Sequence, residues 1–272
     1  MKLSITGIGL WSRGFQNWDE FQTLSGTLAA DTAAWEMPAP NQIPGRERRR
    51  APALVKLAVE VAHQACDMSG TQKTDVASVF CSAMGDSEIA TYICQTLASP
   101  VKVLSPTKFH NSVHNAPAGY WSISAQNRAP SSSVAGSRNS FPVALLEASV
   151  LAATESRPVL LVAADIQVRG PYEGVYPIEN PFGAGLLIQN QTDDTRGWSF
   201  TLEHHVGNKN WPALKNPFLQ ELSETNPAAR CISLIEAMGL QESAEIDWPL
   251  SESTYLHLEL SAPDECRSYE SR

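Results

Sequence analysis

The chain has 272 residues, 43% of them hydrophobic and 18% charged, and includes 7 Trp; it is long enough to bury a core as one large domain or two small ones. That composition excludes a disordered, collagenous or low-complexity chain. Lys and Arg number 20 against 29 Asp and Glu, a net charge of −9 that repels polyphosphates and argues against general nucleic-acid binding.

In chain order, Leu3 and Ile5 followed by Gly7-Ile8-Gly9 read as a short apolar strand running into a glycine turn. A Pro-rich loop over 37–44 leads to a basic cluster, Arg46, Arg48, Arg49 and Arg50. Leu54, Leu57, Ala58, Val61, Ala62 and Ala65 then follow at helical spacing up to Gly70, an amphipathic helix with a basic entrance. Val76 to Ala83 is a compact apolar run, Ile89 to Leu97 has helical patterning, and a second helical stretch is expected from about Asn111 to Gln126. Ser131 to Ala135 reads as a short strand, Arg138 to Ala153 as an apolar helix, and Pro158 to Ala164 as the fully buried strand of a parallel sheet. Ala184 to Ile188 and Trp198 to His205 are expected as a hairpin across the loop Asn190 to Gly197. The order βαβαβαββ predicts an α/β fold with a mixed sheet. In the tail, Asn226-Pro227 caps a helix whose apolar face is Ile232, Leu234, Ile235 and Met238, and Thr254 to Leu260 alternates as one last strand.

Five Cys (Cys66, Cys81, Cys94, Cys231, Cys266) contain no Cys-x-x-Cys pair and sit mostly in apolar runs, which reads as buried free thiols in a reducing compartment. The amino terminus lacks a signal-peptide stretch and no run approaches the ~20 apolar residues that span a bilayer, so a cytoplasmic protein without a membrane segment is expected.

Gly7-x-Gly9 fails as a dinucleotide motif because its third glycine would fall on Ser12; a tight turn explains the glycines. His110 and His114 have zinc-like spacing, with His204 or His205 as a third ligand, but ordinary histidines are the better reading and no metal or cofactor is expected. Gly136-Ser137-Arg138 joins a strand to a helix, where a nucleophile could sit, yet Ser137 is more simply an N-cap. Asp165, at the end of a buried strand, is the acid placed where a carboxylate could orient a catalytic partner, but a turn residue is the preferred reading.

The motifs taken together resemble the amino-terminal half of the β-ketoacyl-acyl-carrier-protein synthases, which have the thiolase fold. Met1 to Leu10 resembles their opening strand, and Leu104 to Gly119 (LSPTKFHNSVHNAPAG) is similar to their S-P…N-x-x-A-G segment. Arg128 to Ala135 is similar to the strand before the nucleophile, and Asn180 to Ile188 to the G-E-G-A-G strand. The resemblance implies a synthase-like domain over 1–207 and a helix-plus-strand extension over 208–272 packed on it, about half of the duplicated fold. The family's nucleophilic Cys falls on Arg138, with Gly136 and Ser137 as neighbours, and the second-half histidine motifs have no counterpart, so no catalytic residue is expected.

Such a body resembles the chain length factors, inactive partners of ketosynthases, and most of all the shortened subunit of aryl polyene pathways. The resemblance implies a heterodimer with an active ketosynthase, Met84, Lys108 and Phe109 at a shared acyl tunnel, and a dimer interface at Ser131, Ser132, Ser133 and Val134 with Asn115. It further implies docking of an acidic acyl carrier protein on Arg46, Arg49 and Arg50. Lys108 in such a tunnel either snorkels to solvent or forms a polar floor. Core packing is the competing reading of Met84. The readings set against this one are an autonomous acyltransferase or hydrolase using Ser137 with His110 or His114, and a purely structural scaffold.

Overall fold

The computed structural model describes residues 1–24, 36–155, 157–192 and 197–263; Cys266 and most of the turn before Gly197 lie outside them. The order is β1 (Lys2–Ser12), α1 (Trp18–Leu24), α2 (Gly45–Arg48), α3 (Ala53–Ser69), β2 (Ala77–Cys81), α4 (Ser87–Ala98), α5 (Pro106–His110), α6 (Ala116–Ala125), β3 (Ser131–Val134) and α7 (Ser140–Thr154). It continues with β4 (Val159–Asp165), β5 (Phe182–Asn190), β6 (Trp198–Val206), α8 (Pro217–Thr225), α9 (Ile232–Gly239), β7 (Ala244–Pro249) and β8 (Thr254–Ser261). All eight strands form one mixed sheet, ordered β3-β2-β4-β5-β1-β6-β8-β7. The β2 strand runs parallel to β3 and β4, and the pairs from β4 onward across the sheet are antiparallel.

β1 is longer than its opening residues suggest and carries a bulge between Ile5 and Gly7. A one-residue insertion reverses which face each later side chain takes. Leu3 and Ile5 before the bulge, and Ile8 and Leu10 after it, therefore all enter the same core, while Gly7 and Gly9 turn to the opposite face. There they meet α3. A Cβ on Gly7 would collide with the Ala65 carbonyl oxygen, and one on Gly9 or Gly185 with that of Val61. Gly9 and Gly185 are register partners across β1 and β5, so the two strands present a flat pad on which the α3 backbone lies. The glycines are not a turn. α3 is locked there by its own side chains: Gln64 Oε1 accepts from Leu10 N (3.0 Å) and Met68 Sδ from Ile8 N (3.2 Å).

α3 and α6 cover this face with Leu57, Val61, Ala65, Trp121 and their neighbours. On the other face α7 lies beside the tail, whose α8, α9 and intervening 3-10 turn (Pro227–Cys231) add Leu219, Leu222, Ile232 and Ile235 to the larger core. The tail strands extend the same sheet through β6 and β8. No described helix is long and apolar enough to cross a membrane.

Several expectations are corrected. β5 and β6 are not a hairpin, because β1 lies between them and pairs with both. The expected helix over 111–126 is broken: His110 closes α5 and α6 begins at Ala116, so His110 and His114 are not on one helix. The arginines do not start α3; Arg46 and Arg48 lie on α2, and Pro52 separates them from Ala53. Cys94 is exposed on α4, unlike Cys66, Cys81 and Cys231.

Gly9→Ala drives its methyl into helix backbone, which can yield only by moving α3, and is expected to lower stability by about 1–3 kcal/mol. Gly119→Ala, in α6 with nothing within 4 Å of the added Cβ, is the contrasting control and should stabilise by about 0.5–1 kcal/mol. Urea or thermal unfolding of the two variants beside the parent checks both.

Candidate functional site

In open α/β sheets, ligand sites gather beyond the carboxyl ends of the parallel strands. Here that edge is made by the ends of β2, β3 and β4. Asp165, the last residue of β4, is 1% exposed, and its carboxylate ties the edge together. Oδ1 accepts from Ser82 Oγ (2.6 Å), Ala83 N (2.9 Å) and Met84 N (3.5 Å), and Oδ2 from Ala228 N (3.2 Å). The Asp165 carbonyl also receives Asn226 Nδ2 at 3.3 Å. Asp165 is thus a buried anchor joining the loop after β2 to the tail, not a turn residue. Burial pushes its carboxyl up to about 6, against the opposing pull of the hydrogen bonds from Ser82, Ala83, Met84 and Ala228.

The loop that Asp165 holds carries Met84, which is half-buried. It turns at Gly85, whose φ of 66° suits glycine and whose N–H donates to Ser82 Oγ (2.9 Å). Met84, Asp86, Leu54, Val55, Asn111 and His114 line a cleft of about 220 Å³. His114 donates from Nε2 to the Ser82 carbonyl (3.2 Å), and Asn111 Nδ2 to the Arg50 carbonyl (2.9 Å), so the cleft wall is fixed to both flanking loops. Burial raises the Asp86 carboxyl, which caps α4 through Ile89 N at 2.9 Å.

Lys108 and Phe109 are on α5, outside that cleft. The Lys108 ammonium lies 3.9 Å from the centroid of the Tyr92 ring on α4, a cation–π contact at the surface, and Phe109 is 63% exposed. Asn115 precedes α6 and is exposed. Ser131, Ser132, Ser133 and Val134 form β3, an edge strand paired only with β2; Ser131 Oγ accepts from Ser78 (2.9 Å) and Ser132 donates to Glu147 (3.1 Å). Arg46, Arg49 and Arg50 are all exposed around α2.

Between β3 and α7 the chain makes a tight elbow. Ser137 has φ 55°, a left-handed conformation rare for a side-chain-bearing residue, and Arg138 follows it. Ser140 Oγ holds the elbow from inside, donating to the Ser137 carbonyl (2.7 Å) and accepting from Gly136 N (3.0 Å). The Ser137 hydroxyl shares a 2.8 Å hydrogen bond with that of Tyr176, and neither His110 nor His114 is its partner. The elbow also meets a residue that sequence reasoning missed. Arg230, in the 3-10 turn of the tail that packs on this elbow, is buried with its guanidinium 4.1 Å from the Trp211 ring centroid.

Replacing Asp165 by Asn leaves one acceptor oxygen where two are used and turns an amide N–H₂ toward a donor. Asp165→Asn is therefore expected to destabilise by about 1–3 kcal/mol at pH 7. The native carboxyl binds its proton more tightly than the unfolded one, so the stability linked to that proton is fully present below the unfolded value and is lost as pH rises through about 6, while the hydrogen bonds the group accepts remain. That slope should vanish in Asp165→Asn, as urea titrations between pH 4 and pH 7 would show.

No curated protein matches the sequence. Solved structures do match its fold. One, of the ketosynthase ApeO in complex with its chain length factor ApeC from Xenorhabdus doucetiae, has 23% identity and a TM-score of 0.69, covering 95% of this chain and 99% of the other. The ishigamide ketosynthase/chain length factor is 14% identical with a TM-score of 0.72, covering 96% and 99%. A type II polyketide synthase acyl-carrier protein in complex with its ketosynthase bound to the hexaketide (AntDE:AntF) is 10% identical with a TM-score of 0.73, again covering 96% and 99%. The sheet with its flanking helices is thus the thiolase-like fold of the ketosynthases, confined to the amino-terminal domain. The model of the β-ketoacyl synthase amino-terminal domain matches residues 16–247, and the chain belongs to that family.

Proposed function

We propose that this chain is a non-catalytic chain length factor: it forms a heterodimer with an active ketosynthase and shapes the acyl tunnel while a carrier-protein-bound polyene or fatty-acid-like chain is extended. The observation that carries this reading is the elbow between β3 and α7. A condensing synthase needs a thiolate there, and the elbow offers Gly136, Ser137 and Arg138. The buried thiols cannot substitute: burial pushes Cys66 up to about 12 and raises Cys81 and Cys231 as well, while Cys94 is on α4.

A partner is favoured by what the chain leaves uncovered. β3 ends the sheet with one side unpaired, a strand poor in apolar surface that a second strand would complete. Nearby in sequence, Leu97, Val101, Val103, Phe109 and Val113 are each more than half exposed, a density of apolar side chains that marks interaction surfaces. In this reading Met84, held by Asp165 at the lip of the cleft, limits the growing chain, with Lys108 and Phe109 at the outer gate. Arg46, Arg49 and Arg50 receive the acidic carrier protein, on an otherwise acidic body.

Co-expression with a ketosynthase of the same biosynthetic locus should yield a one-to-one complex by native mass spectrometry; two separate monomers would overturn the pairing. In that complex Ser137→Ala should leave product formation intact, whereas loss of turnover would favour an autonomous serine enzyme. Met84→Trp should shift products toward shorter chains, since each misplaced methylene is worth about 1–3 kcal/mol of discrimination; unchanged length would favour a scaffold.

Reversing Arg46, Arg49 and Arg50 to Glu should weaken carrier-protein binding about tenfold or more at low ionic strength, with the difference shrinking at high salt. Equal affinities by calorimetry would return the arginines to a solvated surface.

A further inference from the structure

The residue least explained by packing is Arg230. It is 7% exposed, yet among the described residues no carboxylate lies within ion-pair distance of its guanidinium and no hydrogen bond is made by it. Its Cζ lies over the Trp211 ring, 4.1 Å from the centroid, a cation–π contact that uses none of the guanidinium N–H groups as hydrogen-bond donors to an oxygen. The backbone there is held: the Arg230 carbonyl accepts from Trp248 Nε1 at 3.1 Å. The nearby charge makes matters worse, because burial and then the Arg138 guanidinium lower Arg230 to about 10, and Glu224 on α8 only partly offsets them from a distance. The Arg230 N–H groups are not among the buried polar atoms that lack a partner, so they stay open to solvent, and the segment that carries Arg230 packs on the one that carries Arg138; two cations brought to one corner favour an anion there.

The place is also suited to one. Arg138 lies on the elbow after β3 and Arg230 on the 3-10 turn whose Ala228 N–H binds Asp165 at the end of β4. Both therefore sit at the carboxyl edge of the parallel strands. A guanidinium held over a ring presents a planar fork of N–H donors matched to two oxygens of one group.

We propose that Arg138 and Arg230 form a binding site for an oxyanion, the carboxylate or phosphate group of a small molecule, on the elbow that lacks a nucleophilic thiol. The site needs no partner subunit, so it stands or falls independently of the chain-length role.

The test is a titration of the full chain with inorganic phosphate and, separately, with acetate, at constant ionic strength set by chloride, read by thermal shift and calorimetry. Saturable binding of at least one of the two is expected, about tenfold weaker in Arg138→Gln and in Arg230→Met. Arg138 is exposed, so Arg138→Gln should fold normally. Without added anion, Arg230→Met should unfold no earlier than the parent, because it removes an unpaired buried charge. Preference for phosphate or for acetate identifies which group the site takes. Absence of saturable binding in the parent, or equal binding in Arg138→Gln and the parent, would overturn the proposal.

Discussion

The rest of the structure depends on how closely α3 can lie against β1 and β5. A helix normally stands off a sheet by the thickness of two layers of side chains; here one layer is missing, because Gly7, Gly9 and Gly185 leave carbonyl groups of Ala65 and Val61 directly over the strands. The approach is possible only because the bulge after Ile5 turns Gly7 and Gly9 to that face without exposing Ile8 and Leu10. One backbone irregularity thus satisfies both faces of β1. With α3 seated, its small residues Ala58, Ala62 and Ala65 complete a thin layer, and its amino end supplies Leu54 and Val55 to the cleft that also holds Met84.

On the opposite face the tail does a comparable task. α7 and the sheet present a broad apolar surface, which α8, α9 and the turn between them close with Leu219, Leu222, Ala229 and Ile235. The coupling between this cover and the carboxyl edge is polar and runs through Asp165: Ala228 and Asn226 from the tail, and Ser82 to Met84 from the β2 loop, share one buried carboxyl group and its backbone carbonyl. Four donors around one carboxylate offset much of the desolvation that burial imposes. The position of Met84 is therefore set by a residue more than eighty positions away, and the tail that packs on α7 is also what keeps that residue in place.

Much of this was legible in the sequence and the remainder was not for definable reasons. The alternation of strand and helix through β4, the short strand at Ser131 to Val134, and the cap at Asn226 follow from local patterning. The β5–β6 hairpin expectation failed because two consecutive antiparallel-looking strands need not pair when a third, β1, is inserted from far away in sequence. The glycines of β1 looked like a turn because a bulge hides their true period. α8 begins with Asn216-Pro217, the same signal that was recognised ten residues later at Asn226-Pro227, and β7 carries a plain alternation of Ala244, Ile246 and Trp248; both could have been found. Asp165 and Arg230 could not, since what matters about each is which distant segments surround it.

The elbow between β3 and α7 is held by its surroundings and not by the chemistry of the residues it exposes. A left-handed Ser137 costs about 1–2 kcal/mol relative to ordinary backbone, and nothing about a hydroxyl bonded to Tyr176 requires that strain. The conformation is imposed by its surroundings: Ser140 bridges Gly136 and Ser137, Asn139 is tied by its side-chain amide to the Leu250 carbonyl (3.0 Å), and Gly136 is closely packed, its would-be Cβ lying 3.1 Å from Val143 and from the Asn139 carbonyl oxygen. These restraints start α7 at the right place and direct β3 along the sheet edge. A strained turn that is over-determined by packing holds its exposed residues in fixed positions whatever those residues are, so a surface built on it can be rewritten one side chain at a time. With Ser137 and Arg138 exposed on it, the elbow keeps its shape through the groups beneath it and takes its charge from the side chains above.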